Sequence, residues 1–244
     1  MLDIASLTNL GDREINEDSV GFYQKDNKLL CVLADGLGGH GKGDFASQLC
    51  IKNAENIFNK SSLNDEELIQ SIFESTQNRL LKQQELERGS RNQMKSTFVI
   101  CLIDNNKVFC GHIGDSRLYL FQNKKISYQT LDHSVPQMLV ASGEIKASQI
   151  RHHEDRNRLL RAMGCQEEHL RYEIDFTDVP IMSGDSILLC SDGFWEWIKE
   201  RKMCHYIFSS DNAQMILNKM EKYILKKGKG KNMDNYSALL VKYT

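Results

Sequence analysis

CVLADGLGGHGKGDFAS, residues 31–47, is the stretch on which the reading of the fold turns. Gly36, Gly38 and Gly41 are spaced as GxGxxG, the dinucleotide fingerprint, and Gly36 to Lys42 are spaced as GxxxxGK, one residue short of a Walker A loop. Both patterns hold phosphate on backbone amides. Asp35, directly before the first glycine, works against them, because a carboxylate there repels phosphate unless a cation intervenes. Context decides between anion and cation. A Rossmann unit needs a second parallel strand within about 30 residues, with a ribose-binding acid near its end. After Gly41 the pattern stays helical or loop-like up to Thr97. A Walker loop needs Ser or Thr after its lysine, and that position is Gly43. The stretch therefore reads as a cation loop, in which Asp35 supplies a carboxylate and Gly36, lacking Cβ, lets its carbonyl approach a metal.

The design recurs. LLCVLADG, VFCGHIGDS and SILLCSDG are apolar strands that each run into an aspartate followed by a tiny residue: Asp35, Asp115 and Asp192. Asp234, in NMDNYSALLV, stands just before an apolar strand, and Glu17 and Asp18, in NEDSVGFY, stand at the mouth of another. Asp before Gly is also ordinary turn chemistry. Buried strands nevertheless carry their ends to common sheet edges, so these acids can converge. Like charges about 4 Å apart repel by about 4 kcal/mol at an effective dielectric of 20, so a cluster of carboxylates requires cations. Oxygen ligands without a Cys/His cluster favour Mg²⁺ or Mn²⁺ over zinc.

Strand patterns cover 19–24, 28–34, 97–104, 107–113, 117–122, 126–131, 172–176, 186–190 and 237–243. IDNNKV and FQNKKI read as hairpin turns, rich in Asn that tolerates positive φ. Helical periodicity covers 44–59, 65–87 and 213–226, with shorter stretches after Ser134 and over 156–163. Asn64 with Glu67, and Asp211 with Gln214, are spaced as helix caps. Strands clustered in hairpins and long helices adjacent in sequence predict an α+β fold with antiparallel sheets.

With 244 residues, the chain is long enough for one sizeable core. A net charge of −2 gives no general attraction to nucleic acid or to anionic membrane. The seven cysteines include no CxxC pair, and Cys31, Cys101 and Cys190 sit in apolar runs, so they read as reduced core thiols. No apolar run reaches the roughly 18 residues that span a bilayer, and MLDIASLTNLGDR lacks the basic and apolar regions of a signal peptide. A cytoplasmic chain with neither nucleic acid nor membrane as partner is expected.

In order along the chain stand GDREINEDS, VLADGLGGHGKGDFAS, STFVICLI, GHIGDSRLYLF, LDHSVPQMLVASGEI, DRNRLLRAMG, DSILLCSDGFWEWI and MDNYSALLV. Together they resemble the PPM family, the metal-dependent type 2C serine/threonine protein phosphatases, in its bacterial branch. Each motif alone is weak, but eight in order cover nearly the whole chain.

The resemblance implies a single domain over 1–244: a four-layer αββα sandwich of two mostly antiparallel sheets, with helices on both outer faces. It implies a centre of two Mn²⁺ or Mg²⁺ ions, with a possible third, at one end of the sandwich. By motif, Asp35 bridges the two metals, Glu17 and the Gly36 carbonyl ligate one, and Asp192 and Asp234 ligate the other. Asp115 and Asp192 match the pair that holds a third metal in bacterial relatives. Asp18 matches the carboxylate that orients metal-bound water, and Arg13 the arginine that grips phosphate, for which a bidentate guanidinium is suited. Two such metals can generate a hydroxide at neutral pH for in-line attack on a phosphate monoester, with no covalent intermediate.

One position departs from some relatives. Leu37 stands where eukaryotic members have a histidine thought to protonate the leaving group, which leaves His40, His133 or a metal-bound water as candidates. Residues 134–155 correspond to the family's flap, and IRHHEDRNR reads either as a phosphopeptide contact or as a solvated surface. KKGKGK, residues 226–231, reads as a flexible exposed loop or as a greeting surface for acidic substrates. Trp195 and Trp197 read as core. The implied partners are phosphorylated proteins and a cognate Ser/Thr kinase, with the chain a monomer. The alternative is a non-catalytic pseudophosphatase that binds a partner, although such relatives typically lack metal carboxylates and none is missing here. A nucleotide enzyme using the glycine loop is a third reading.

Overall fold

The computed structural model describes residues 2–37, 42–87, 94–166, 170–177 and 180–244. In chain order the strands are β1 (Leu2–Asn9), β2 (Asp18–Lys25), β3 (Lys28–Leu37), β4 (Lys95–Ser96), β5 (Phe98–Asp104), β6 (Lys107–Ile113), β7 (Arg117–Gln122), β8 (Lys125–Gln129), β9 (Glu173–Thr177), β10 (Ser186–Cys190) and β11 (Tyr236–Tyr243). The helices are α1 (Gly43–Lys60), α2 (Asp65–Leu86), α3 (Val135–Ala141), α4 (Asp192–Trp195), α5 (Glu200–Ile207) and α6 (Ala213–Gly228), with a 3-10 turn at Ala147–His152.

All strand pairings are antiparallel. One sheet runs β1-β11-β10-β7-β8 and the other β2-β3-β5-β6-β9, with β4 added to the end of β3. Alternate side chains of a strand point to opposite faces, and here both faces are covered. Leu29, Cys31 and Leu33 of β3 pack with Leu189 and Leu239 of the facing sheet. Leu30, Val32 and Ala34 pack instead with Ala46 and Cys50 of α1 and Phe73 of α2. In the other sheet Leu188, Ala238 and Leu240 turn outward onto Met203 of α5 and Ile216 and Met220 of α6. The layers are α, β, β, α. Double coverage is why the strands read as continuous apolar runs.

The hairpin turns form as their composition dictates: Asn105 and Asn106 have φ of 46° and 69°, and Asn123 and Lys124 have 52° and 62°. Asn64 caps α2 by accepting from the Glu67 amide at 2.9 Å. All seven cysteines are free, and burial pushes the Cys31, Cys101 and Cys190 thiols up, as expected of inert core residues.

Five local expectations are corrected. β1 has no run of β-formers and is held by its pairing with β11 from Leu2↔Tyr243 to Asn9↔Tyr236. Residues 156–163 are not helical, because their backbone bonds elsewhere: Leu160 N–H donates to His133 O and Met163 N–H to Ser96 O, both at 2.8 Å. The cap of α6 is Asn212, accepting from the Met215 amide at 2.8 Å, while Asp211 accepts from Ser209 and Lys219. Lys226, Lys227 and Gly228 belong to the last turn of α6 rather than to a loop. Trp195 is core, but Trp197 is only partly buried.

Candidate metal centre

Antiparallel pairing brings the strand ends together. Asp18, the first residue of β2, lies opposite Asp35 near the end of β3. Asp192 follows the end of β10 and opens α4, Asp234 precedes the start of β11, and Asp115 sits in the turn from β6 to β7. Glu17, Asp35, Gly36, Asp115, Asp192 and Asp234 line one cleft of about 580 Å³, together with Arg13 and Leu37. Asp18 is buried beneath this lining.

A framework that the sequence reading missed holds these groups. Asn235 accepts from the Glu17 amide at 2.8 Å and donates to the Leu10 and Ile15 carbonyls, each at 2.9 Å, clamping the loop before β2. Ser191 donates to Asp18 Oδ2 at 2.7 Å and accepts from the Ser237 amide at 2.9 Å. Thr97 Oγ1 accepts from the Asp35 amide at 2.9 Å. Gly36 is required by close approach: a Cβ there would sit 2.1 Å from Gly43 O at the start of α1. Packing against α1 thus accounts for the glycine without reference to a metal.

The protein neutralises this cluster poorly. Burial, then the charges of Asp18, Asp192, Asp115 and Asp234, push Asp35 well above the usual carboxylate range. Burial and the neighbouring Asp115 do the same to Asp192. Burial raises Asp18 to about 6, and burial followed by the Asp132 charge raises Asp115 to about 7. Oδ1 of Asp18 is buried without a hydrogen-bond partner. Arg13 donates to both oxygens of Asp234, at 2.9 and 3.0 Å, so the guanidinium implied to grip phosphate here serves as a carboxylate's counter-ion. One guanidinium among this many acids leaves a negative excess. The lining offers carboxylates, and no Cys or His among the described residues. An excess of oxygen donors in a half-buried site fits hard divalent cations such as Mg²⁺ or Mn²⁺.

Of the two histidines considered for proton transfer, His133 does not belong to the lining. His40 lies outside the described residues. His133 is buried and stacked on His112 with ring centroids 4.7 Å apart, and burial followed by the charge of His112 lowers it to about 4. Its Nδ1 accepts from the Gly114 amide at 3.1 Å, so the neutral ring carries its proton on Nε2, which faces Glu173 Oε1 at 3.1 Å. His112, His133 and Glu173 are close enough to suggest a second metal site. With its proton on Nε2, His133 instead presents a donor to the carboxylate. Sequence reading had no signal for this group, because its members lie on β6, after β8 and on β9.

Residues 8–227 match the family model described as Protein phosphatase 2C. The chain belongs to the protein phosphatase 2C family. It is 32% identical over 235 residues to the serine/threonine phosphatase stp of Listeria monocytogenes, covering 94% of this chain and 90% of that one. The solved serine/threonine phosphatase of S. agalactiae superposes with a TM-score of 0.89 over 100% of both chains at 19% identity, a likeness of fold. The catalytic domain of the serine threonine protein phosphatase PstP, solved in complex with two manganese ions, superposes with a TM-score of 0.82 at 26% identity, covering 99% of this chain and 97% of that one. The fold and the bacterial type 2C membership expected from the eight motifs both hold. No described helix is long and apolar enough to cross a membrane.

Proposed function

We propose that this chain is a metal-dependent protein phosphatase that hydrolyses phosphoserine and phosphothreonine in proteins, using two Mn²⁺ or Mg²⁺ ions. The observation that carries this reading is the convergence of Glu17, Asp35, Asp115, Asp192, Asp234 and Arg13, drawn from distant parts of the chain, on a single cleft. In it Asp35, Glu17, the Gly36 carbonyl, Asp192 and Asp234 would hold the two ions, and Asp115 with Asp192 would hold a third. When bound, the ions activate water at neutral pH and neutralise the phosphoryl charge.

The side chains do the rest. Arg13, 43% exposed, turns its two-pronged donor from Asp234 to the phosphate oxygens. Asp18 has one oxygen fixed by Ser191 and the other free to accept from, and so orient, the attacking water. Leu37 keeps the cleft wall apolar where some relatives place a proton donor, so no histidine is assigned that role. The full set of acids argues against a non-catalytic binding module. A cytoplasmic monomer working opposite a Ser/Thr kinase completes the reading.

Purified protein should turn over p-nitrophenyl phosphate and phosphothreonine peptides with Mn²⁺ and stop on chelation. No turnover with Mn²⁺ or Mg²⁺ would end the proposal.

A further inference from the structure

A second pocket, of about 520 Å³, lies beside the first. Between them is a groove that shares Arg13, Asp192 and Asp234 with the acidic cleft, and Arg151, Trp197 and Lys231 with the second pocket. Three segments far apart in sequence build this pocket. Arg151 and His152 come from the 3-10 turn within IRHHEDRNR, Lys199, Arg201 and Lys202 from the start of α5, and Lys227 and Lys231 from KKGKGK. Two of these segments are ones the catalytic reading leaves without a role.

Its charge is opposite to that of the cleft. Six Lys/Arg side chains line it against one acid, Glu196, in a chain whose net charge is −2. Glu196 already pairs with Arg156 at 2.6 Å, and Arg151 is neutralised by Glu200. Lys199, Arg201, Lys202, Lys227 and Lys231 have no ion pair among the described residues. Aromatic rings hold three of them. Lys231 Nζ lies 5.5 Å from the Trp197 ring, and Lys202 and Lys227 lie 5.6 and 5.8 Å from the Tyr223 ring. A ring restrains an ammonium without cancelling its charge, so the pocket stays positive and ordered. The result is a pre-positioned anion receptor joined to a site proposed to act on phosphoproteins.

We propose that this pocket binds an acidic segment of the phosphoprotein substrate, so that the enzyme prefers phosphoresidues flanked on one side by clustered carboxylates or a second phosphate. The proposal rests on the phosphatase reading. It gives the groove a job: the chain leaves the metal cleft past Arg13 and delivers its acidic residues beside Trp197.

The test compares phosphothreonine peptides carrying three glutamates on the N-terminal side, three on the C-terminal side, or glutamines throughout. One acidic peptide should exceed the glutamine peptide by about tenfold in kcat/KM, the size that two or three half-exposed ion pairs produce, mostly through KM. Raising salt from 50 to 300 mM should erase most of that ratio. In Arg201→Glu/Lys231→Glu the ratio should fall to about one, and because it is measured on one preparation it is insensitive to the amount folded. Binding is also read without turnover, since the dephosphorylated acidic peptide should perturb Trp197 fluorescence and the glutamine peptide should not. Equal kcat/KM for all three peptides, or a preference that survives Arg201→Glu/Lys231→Glu, overturns the pocket while leaving the phosphatase reading intact. Failure to hydrolyse any peptide or p-nitrophenyl phosphate is the separate failure of that reading. A fluorescence change with inorganic phosphate but with neither peptide would make the pocket a small-anion site and also overturn the proposal.

Discussion

Asp115 and Arg117 are two residues apart, and the molecule treats their charges in opposite ways. Arg117 is buried, donates to both oxygens of the buried Asp132 at 2.7 Å and to Tyr119 Oη at 3.0 Å, and lies 3.6 Å from the Trp195 ring. Its charge and its donors are satisfied from within. Asp115 points into the cleft, is raised to about 7 by burial and by Asp132 despite the charge of nearby Arg117, and has no ion pair among the described residues. A buried charge that the protein satisfies holds the fold together, whereas one left unsatisfied awaits something from outside. Both come from the single stretch GHIGDSRLYLF.

Asp35→Asn should lower Mn²⁺-dependent turnover by on the order of a thousandfold. Its melting temperature in chelator should hold or rise, because a repelled carboxylate is gone. A large loss of stability would mean that Asp35 serves the fold. Arg117→Ala should do the reverse and destabilise by about 3–5 kcal/mol, because it strands Asp132 in the interior. Urea unfolding within 1 kcal/mol of the parent, by the usual ~1 kcal/mol standard for a minor change, would refute the structural role.

Proton linkage sharpens the contrast. Asp18, Asp35, Asp115 and Asp192 all bind protons more tightly folded than unfolded. In chelator, stability should therefore fall as pH rises from about 6 to 8, by about 1–3 kcal/mol, and saturating Mn²⁺ should flatten the slope. His133, lowered to about 4, contributes the opposite slope, but mainly below pH 6.5. A cation-free protein that gains stability across pH 6–8 would contradict the picture. The smallest effect belongs to a purely local bond: Asn64→Ala should cost about 1 kcal/mol with turnover unchanged, as read by urea midpoint and p-nitrophenyl phosphate assay.

What could be read from the sequence follows the same division. The acids were visible because each combines a strand end with a charge, a pairing that local pattern displays. Asn235, Ser191 and Thr97 were not, because an uncharged polar residue in a strand or turn looks the same whether it clamps a loop or faces water. β1 was hidden because Asp3, Ser6 and Thr8 interrupt its apolar pattern, and only β11 supplies its pairing. Residues 156–163 have helical spacing, yet the amides of Leu160 and Met163 are taken by His133 and Ser96, contacts no local window contains. Trp197 sits beside a core tryptophan in sequence and faces a different environment in space.

The bond from Glu17 N–H to Asn235 spans 218 positions. It ties the first carboxylate of the cleft to the residue just before β11, which lies between β1 and β10. During synthesis most of the polypeptide must leave the ribosome before that knot can be tied, and closing so long a loop is slow. A fragment ending before Asp234 should therefore lack both the clamp and one of the carboxylates of the cleft.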